Sequence, residues 1–136
     1  MAFVYYAGHG VQVNNENYLL PTKEKFESEI DVEYEGVSVQ KIIRFLTSKS
    51  VNNVNVLILD ACRDNPFEGN WNSNRSLKGS GLAIMQAPSG SMIAFSTAAG
   101  NTAPDGNGEN SIYSRILAKN MLLEGVNLDQ VFRNTR

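Results

Sequence analysis

The chain has 136 residues, of which 42% are apolar and 19% are charged, and its formal net charge at pH 7 is −2. That length suits one globular domain with a buried core, and that composition argues against a disordered chain. Because lysine and arginine form no cluster, we expect neither a nucleic acid nor an anionic membrane as a partner. No apolar run reaches the length of a membrane span.

The cysteine count and the first residues predict a compartment. One cysteine cannot form an internal disulfide, so a reducing setting with a free thiol is expected. The opening segment MAFVYYAGHG lacks the basic region and the cleavage site of a signal peptide. We therefore expect a cytoplasmic protein. The sequence gives no indication of its oligomeric state.

The first elements are a strand and a hairpin. Residues 2–7 (AFVYYA) are β-prone at both the odd and the even positions, which predicts a strand covered on both faces. Residues 11–13 and 17–20 alternate around an Asn-rich turn, which predicts a small hairpin. Residues 22–35 are acidic and have no firm period, so we predict a loop there.

A helix and a second strand follow. Ser38 is a candidate N-cap, and the apolar residues between Val39 and Leu46 recur at the spacing of one helical face. Residues 54–59 are an apolar run, which predicts a strand buried on both faces. The order strand, helix, strand predicts a right-handed crossover and a parallel pair.

The C-terminal half alternates between long loops and regular elements. Residues 65–81 and 98–110 are rich in Asn, Ser and Gly, which predicts two long loops. Between them, residues 91–97 predict a third strand. Residues 111–123 predict a second amphipathic helix, and a third helix is expected to begin at Leu128.

The chain has one histidine and one cysteine, and each follows an apolar strand. Reactive groups of open α/β sheets gather at the carboxyl ends of parallel strands, so His9 and Cys62 are expected at one rim if their strands are neighbours. A nucleophilic thiol needs a base or a cation that holds it as thiolate and an acid for the leaving amine, and His9 could serve as both. Gly8 and Gly10 would let the backbone turn sharply, and the N–H groups of Gly10 and Cys62 are candidate oxyanion donors. The competing interpretation is an inert buried thiol and a histidine that only completes a turn.

The segments YYAGHG, YLLPT, LILDACRDNP and IAFSTAAGNTAPDG carry a family resemblance, and His9 lies 53 residues before Cys62. The chain resembles the caspase-like cysteine peptidases, and the bacterial and metacaspase-type members more than the animal caspases. The resemblance implies an α/β fold, a three-layer sandwich with a mostly parallel central sheet. Residues 1–136 would be a partial peptidase domain that lacks two N-terminal strands and one C-terminal strand. The resemblance also implies a cysteine endopeptidase with Cys62 as nucleophile and His9 as general acid and base.

Asp60 is a candidate specificity residue. It lies two positions before Cys62, and residues i and i+2 of a strand share a face. A carboxylate in the pocket would attract a basic side chain, and metacaspase-like enzymes have an acid at the matching position and cleave after Arg or Lys. Ser96 and Asp105 are weaker candidates for the pocket wall. The alternative for Asp60 is a turn cap or a pair with Arg63.

Other predictions concern processing, metals and a function without catalysis. In related enzymes the loop after the nucleophile is processed, so the resemblance makes Arg75 and Lys78 candidates for self-cleavage; the alternative is a loop without this role. Some members of the family need calcium, but the sequence locates no acidic site for it, and residues 105–110 lack the spaced carboxylates of a calcium loop. We therefore predict no cofactor and no metal ligands. The alternative function is a catalytically inactive caspase-like signalling or scaffold module, whereas a redox role is disfavoured because no second cysteine could resolve an intermediate.

Overall fold

The computed structural model describes residues 1–22, 25–48, 54–62, 82–96 and 110–136 and, of Cys62, the backbone alone. The chain divides into two compact units, Met1–Thr102 and Ala103–Arg136. Among the helices in the described ranges, none is long and apolar enough to cross a membrane.

The first unit is built on one five-stranded sheet with the strand order β3-β2-β1-β4-β5. The strands are β1 (Ala2–Val13), β2 (Glu16–Leu19), β3 (Val37–Ser38), β4 (Asn55–Cys62) and β5 (Ser91–Phe95). β1 pairs parallel with β4, and β4 pairs parallel with β5, whereas β2 and β3 are short antiparallel additions. The predicted parallel core is therefore confirmed.

Each face of this sheet carries a hydrophobic cluster and a helix. Helix α2 (Val39–Ser48) packs on one face, where the buried cluster is Leu19, Val39, Ile43, Leu57, Leu59, Ala61 and Leu82. Helix α1 (Glu29–Glu35) packs on the other face, where the cluster is Val11, Val13, Tyr18, Leu20, Phe26 and Val32. Because side chains alternate along a strand, neighbours in sequence enter different clusters. The predicted α/β fold, with helices on both faces of a mostly parallel sheet, is confirmed.

The predicted hairpin is also confirmed. β1 and β2 are joined by Asn14 and Asn15, whose φ angles are 48° and 64°. Two successive positive φ values are typical of the type I′ turn, which matches the twist of the flanking strands, and asparagine tolerates that conformation. Val13 and Glu16 close the turn as a register pair.

The prediction of a loop over residues 22–35 is wrong, because its second half forms helix α1. Ser28 and Asp31 form a capping box: the Ser28 hydroxyl accepts from the Asp31 amide, and Asp31 accepts from the Ser28 amide at 2.9 Å. Two hydrogen bonds hold the pKa of Asp31 below its usual range. The larger effect comes from the Glu27 amide and the smaller one from the Ser28 hydroxyl. Val32 is the one buried residue of this helix, so its sequence shows no apolar period.

The prediction that β1 ends at Ala7 and is covered on both faces is wrong as well. The strand continues through Gly8, His9 and Gly10 because it changes partner there, from β4 to β2. Its burial alternates, and the side chains of Phe3 and Tyr5 are 42% and 47% exposed.

The remaining helices begin close to the predicted residues. The Ser38 hydroxyl accepts from the Lys41 amide at 3.2 Å, as expected of the N-cap of α2. The second unit contains α3 (Ile112–Met121) and α4 (Leu128–Thr135), with Ser111 and Asn127 as N-caps. Strand β3 has only two residues and no counterpart among the predicted strands.

Asn17 joins the sheet to the segment that precedes β5. Its side chain is 0% exposed and bonds both polar groups of Ala83: the Ala83 amide donates to Oδ1 at 2.7 Å, and Nδ2 donates to the Ala83 carbonyl at 2.9 Å. The Asn17 amide itself donates to the Gln40 side chain at 3.0 Å. One carboxamide therefore satisfies two backbone groups that are remote in sequence.

We expect Asn17→Ala to lower the free energy of unfolding by about 1–3 kcal/mol, because the Ala83 amide and carbonyl would lose their partners inside the protein. Urea unfolding followed by circular dichroism measures the loss. The matched control is Asn134→Ala on α4, where an exposed side chain accepts from Gln130, and its effect should stay within about 0.5 kcal/mol. Equal losses in the two variants would contradict this role of Asn17.

Candidate active site

His9 and Cys62 are register partners on neighbouring parallel strands. They form the last pair of the β1–β4 ladder, which runs from Ala2–Asn55 to His9–Cys62. Neighbouring strands lie about 4.8 Å apart, so the two residues start from adjacent backbone positions at one end of the sheet. The His9 side chain is exposed. Both residues belong to the strands themselves, whereas the sequence analysis placed them just beyond the strand ends.

The peptide bond between His9 and Gly10 has a defined orientation. The His9 carbonyl accepts from the Leu20 amide at 2.9 Å, so it points toward β2. In a trans peptide the amide points opposite to the carbonyl, and no described peptide bond is cis. The Gly10 N–H therefore points to the side of the sheet on which β4 ends at Cys62.

Tyr6 lies beneath this peptide. Its hydroxyl lies 2.8 Å from the His9 carbonyl oxygen and 2.9 Å from the Leu20 carbonyl oxygen. A phenol has one hydrogen, so the two carbonyls share it in a three-centre bond. Burial raises the pKa of Tyr6, so its hydroxyl stays protonated in the neutral range.

Both glycines beside His9 are required by close contacts. Gly8 has φ +156°, and a Cβ there would lie 2.6 Å from the Tyr6 hydroxyl oxygen. A Cβ on Gly10 would lie 2.8 Å from Cδ2 of Leu82, a buried residue of the first cluster. The prediction that these glycines serve a sharp turn is wrong, because they instead let side chains pack against an extended strand.

Asp60 and Ser96 lie beside one another near the Cys62 end of β4. Asp60 is 7% exposed and pairs in register with Ala7. The Ser96 amide donates to the Leu59 carbonyl at 3.0 Å, which puts Ser96 next to Asp60 in the continuing β4–β5 register. Among the described residues, the buried Ser96 hydroxyl oxygen has no hydrogen-bond partner. By strand alternation, Asp60 and Cys62 belong to the same face of β4.

Three predicted site residues lie outside the described ranges: Asp105, Arg75 and Lys78. Within those ranges, no group of three or more His, Cys, Asp or Glu side chains could hold a metal ion.

The sequence does not reveal the hydrogen bonds of Tyr6 to His9 and Leu20. A tyrosine in a β-prone run is predicted to be a core residue. The pattern of apolar residues does not reveal where its hydroxyl points. Only the change of strand partner at Gly10 brings the carbonyls of His9 and Leu20 within reach of that hydroxyl.

Comparison with known families shows which family the chain belongs to. The model of the caspase domain, a peptidase family, matches residues 1–136. The chain belongs to the caspase domain family. No curated protein matches the chain. Membership of this family supports cysteine peptidase activity, with proteins as substrates.

We expect Gly8→Ala to destabilise the caspase-domain chain more than Gly125→Ala. Both glycines have positive φ, 156° and 73°, and backbone strain of this kind costs about 1–3 kcal/mol. At Gly8 the new Cβ would also displace the Tyr6 hydroxyl, whereas nothing lies within 4 Å of a Cβ at Gly125. Thermal unfolding of the two variants measures the difference. A Gly8→Ala loss no larger than the control would show that the Tyr6 ring moves at no cost.

Proposed function

We propose that this chain is a cysteine endopeptidase that cleaves peptide bonds after Arg or Lys, with Cys62 as nucleophile and His9 as general acid and base. One observation supports the proposal above the others: the only cysteine and the only histidine of the chain are register partners at the end of the same parallel ladder. An unrelated buried thiol would have no reason to share a register position with the chain's only imidazole.

The reaction follows from this pairing. The Cys62 thiolate attacks the carbonyl carbon of the scissile bond, and the carbonyl oxygen becomes an oxyanion. We propose the Gly10 and Cys62 amides as its donors; the Gly10 amide points to the side where β4 ends, which supports its part. His9 then donates a proton to the departing amine. Water hydrolyses the acyl-enzyme with His9 as base, which regenerates the thiol.

The proposed specificity rests on Asp60. A carboxylate that is 7% exposed and shares a strand face with Cys62 would attract the guanidinium or ammonium group of an Arg or Lys side chain of the substrate. The Ser96 hydroxyl oxygen, buried next to Asp60, could accept a further hydrogen bond from the guanidinium or ammonium group of the substrate. Asp105 is proposed as a further acidic wall of the same pocket, by its place in the family pattern.

Further parts of the proposal come from the sequence and the family. They are self-cleavage after Arg75 or Lys78, a cytoplasmic location, and metacaspase-type membership without a resident cofactor. That residues 1–136 are a partial peptidase domain also stays a prediction.

We expect a peptidyl probe that ends in arginine and carries a thiol-reactive group to label the chain at Cys62. Labelling should vanish in Cys62→Ala and slow by about 10²–10⁴-fold in His9→Ala, because general acid–base catalysis contributes that factor. Intact-mass spectrometry measures the rate. A folded wild-type chain that the probe does not label would favour the alternative function, an inactive signalling or scaffold module.

We expect Asp60→Asn to lower kcat/KM for an Arg-containing peptide by about 10²- to 5 × 10³-fold, since breaking a buried charge pair costs about 3–5 kcal/mol. A panel of fluorogenic peptides that differ only in the residue before the scissile bond measures the change in kcat/KM. Asp129→Asn is the matched control, because that carboxylate is exposed and pairs with Arg133 on α4. Wild-type preference for cleavage after Asp would contradict the assignment of Asp60.

A further inference from the structure

Tyr6 belongs to β1, the strand that also carries His9, and its side chain packs against the hydrophobic cluster on the α2 face. Its hydroxyl reaches the carbonyls of His9 and Leu20. The carbonyl of His9 thus has two donors, the Leu20 amide and the Tyr6 hydroxyl. Two donors, the amide of Leu20 directly after β2 and the hydroxyl of Tyr6, fix the plane of a single peptide.

Tyr6 does not share a face with the His9 side chain. Tyr6 is half-buried and packs with the cluster on the α2 side, whereas His9, three residues later, is exposed at an odd position on the opposite face. Any influence of Tyr6 on the imidazole therefore passes through the backbone of residue 9. The same peptide plane sets the direction of the Gly10 N–H.

Gly8 leaves the space that the Tyr6 hydroxyl occupies. A Cβ at that position would lie 2.6 Å from the hydroxyl oxygen. The φ of +156° at Gly8 is disfavoured for residues with a side chain, so glycine at this position serves both the backbone path and the space for the phenol.

We propose that Tyr6 is a positioning residue, whose hydroxyl holds the His9–Gly10 peptide so that the imidazole and the Gly10 amide face the Cys62 end of β4. This proposal rests on the proposed function, since it assigns Tyr6 a part in the pairing of His9 with Cys62. Tyr6 acts by orientation, because its side chain lies on the face of β1 opposite to that of the His9 side chain. Its loss should therefore lower kcat and leave KM nearly unchanged.

The experiment uses the single cysteine of the chain. The rate of iodoacetamide alkylation as a function of pH reports the thiolate of Cys62, because no other thiol is present. An imidazolium neighbour lowers a thiol pKa below its ordinary value of about 8.5, so the wild-type profile should rise at lower pH. His9→Ala should return the profile to the ordinary range.

Tyr6→Phe removes the hydroxyl alone. We expect its alkylation profile to move upward by about 0.3–1 pH unit and its kcat to fall by about 2- to 10-fold, the equivalent of one hydrogen bond. The matched control is Tyr18→Phe, which removes the hydroxyl of another tyrosine that donates to Glu16. Circular dichroism establishes that each variant is folded. If Tyr6→Phe does not fold, Gly8→Ala takes its place, because it keeps the phenol but pushes the hydroxyl aside.

The outcomes separate this proposal from the proposed function. A shift in Tyr6→Phe that is absent in Tyr18→Phe supports the positioning role. An unchanged profile in Tyr6→Phe beside a shifted one in His9→Ala overturns the role of Tyr6 and leaves the catalytic pair in place. An unchanged profile in His9→Ala overturns the pair itself and the role of Tyr6 with it. Equal shifts in the two tyrosine variants indicate a general loss of stability and also overturn the positioning role.

Discussion

The parallel ladder between β1 and β4 is the constraint on which the site depends. Its eight register pairs begin at Ala2–Asn55 and end at His9–Cys62. Because both strands run in the same direction, the last residue of β4, Cys62, lies beside His9, the last residue of β1 that pairs with β4. A slip of one position would move either residue to the opposite face of the sheet, away from its partner. Burial of Val56, Ile58 and their neighbours in β4 fixes that register far from the chemistry.

The sequence predicted the parts of the fold that follow from strong local patterns. The apolar run of β4, the N-cap at Ser38 and the turn at Asn14 and Asn15 each have a local physical cause, so they could be identified without coordinates. Helix α1 could not be recognised by its period because it buries one residue, Val32. Its capping box was the available signal, since a serine followed three residues later by an acid is typical of a helix start.

For the candidate site, the sequence predicted the residues but misplaced their local structure. His9 and Gly10 resemble a turn because glycine commonly ends strands, but here β1 exchanges one partner strand for another and stays extended. A change of partner depends on β2 folding back onto the same strand, which is a tertiary event. The hydrogen bond from the Tyr6 hydroxyl to the His9 carbonyl depends on the same tertiary event. Local residue propensities therefore cannot predict it.

The change of partner explains why so many constraints meet at one peptide. At residue 9 the backbone faces β2, through the carbonyl that the Leu20 amide binds, and at residue 10 it faces the β4 side. The His9–Gly10 peptide therefore belongs to both pairings, and a rotation of its plane would break a bond to β2 and misdirect the amide on the β4 side. A strand with one partner along its whole length would leave that amide inside a regular ladder. The antiparallel hairpin of β1 and β2, an addition to the parallel core, is thus what sets the geometry at the end of the β1–β4 ladder.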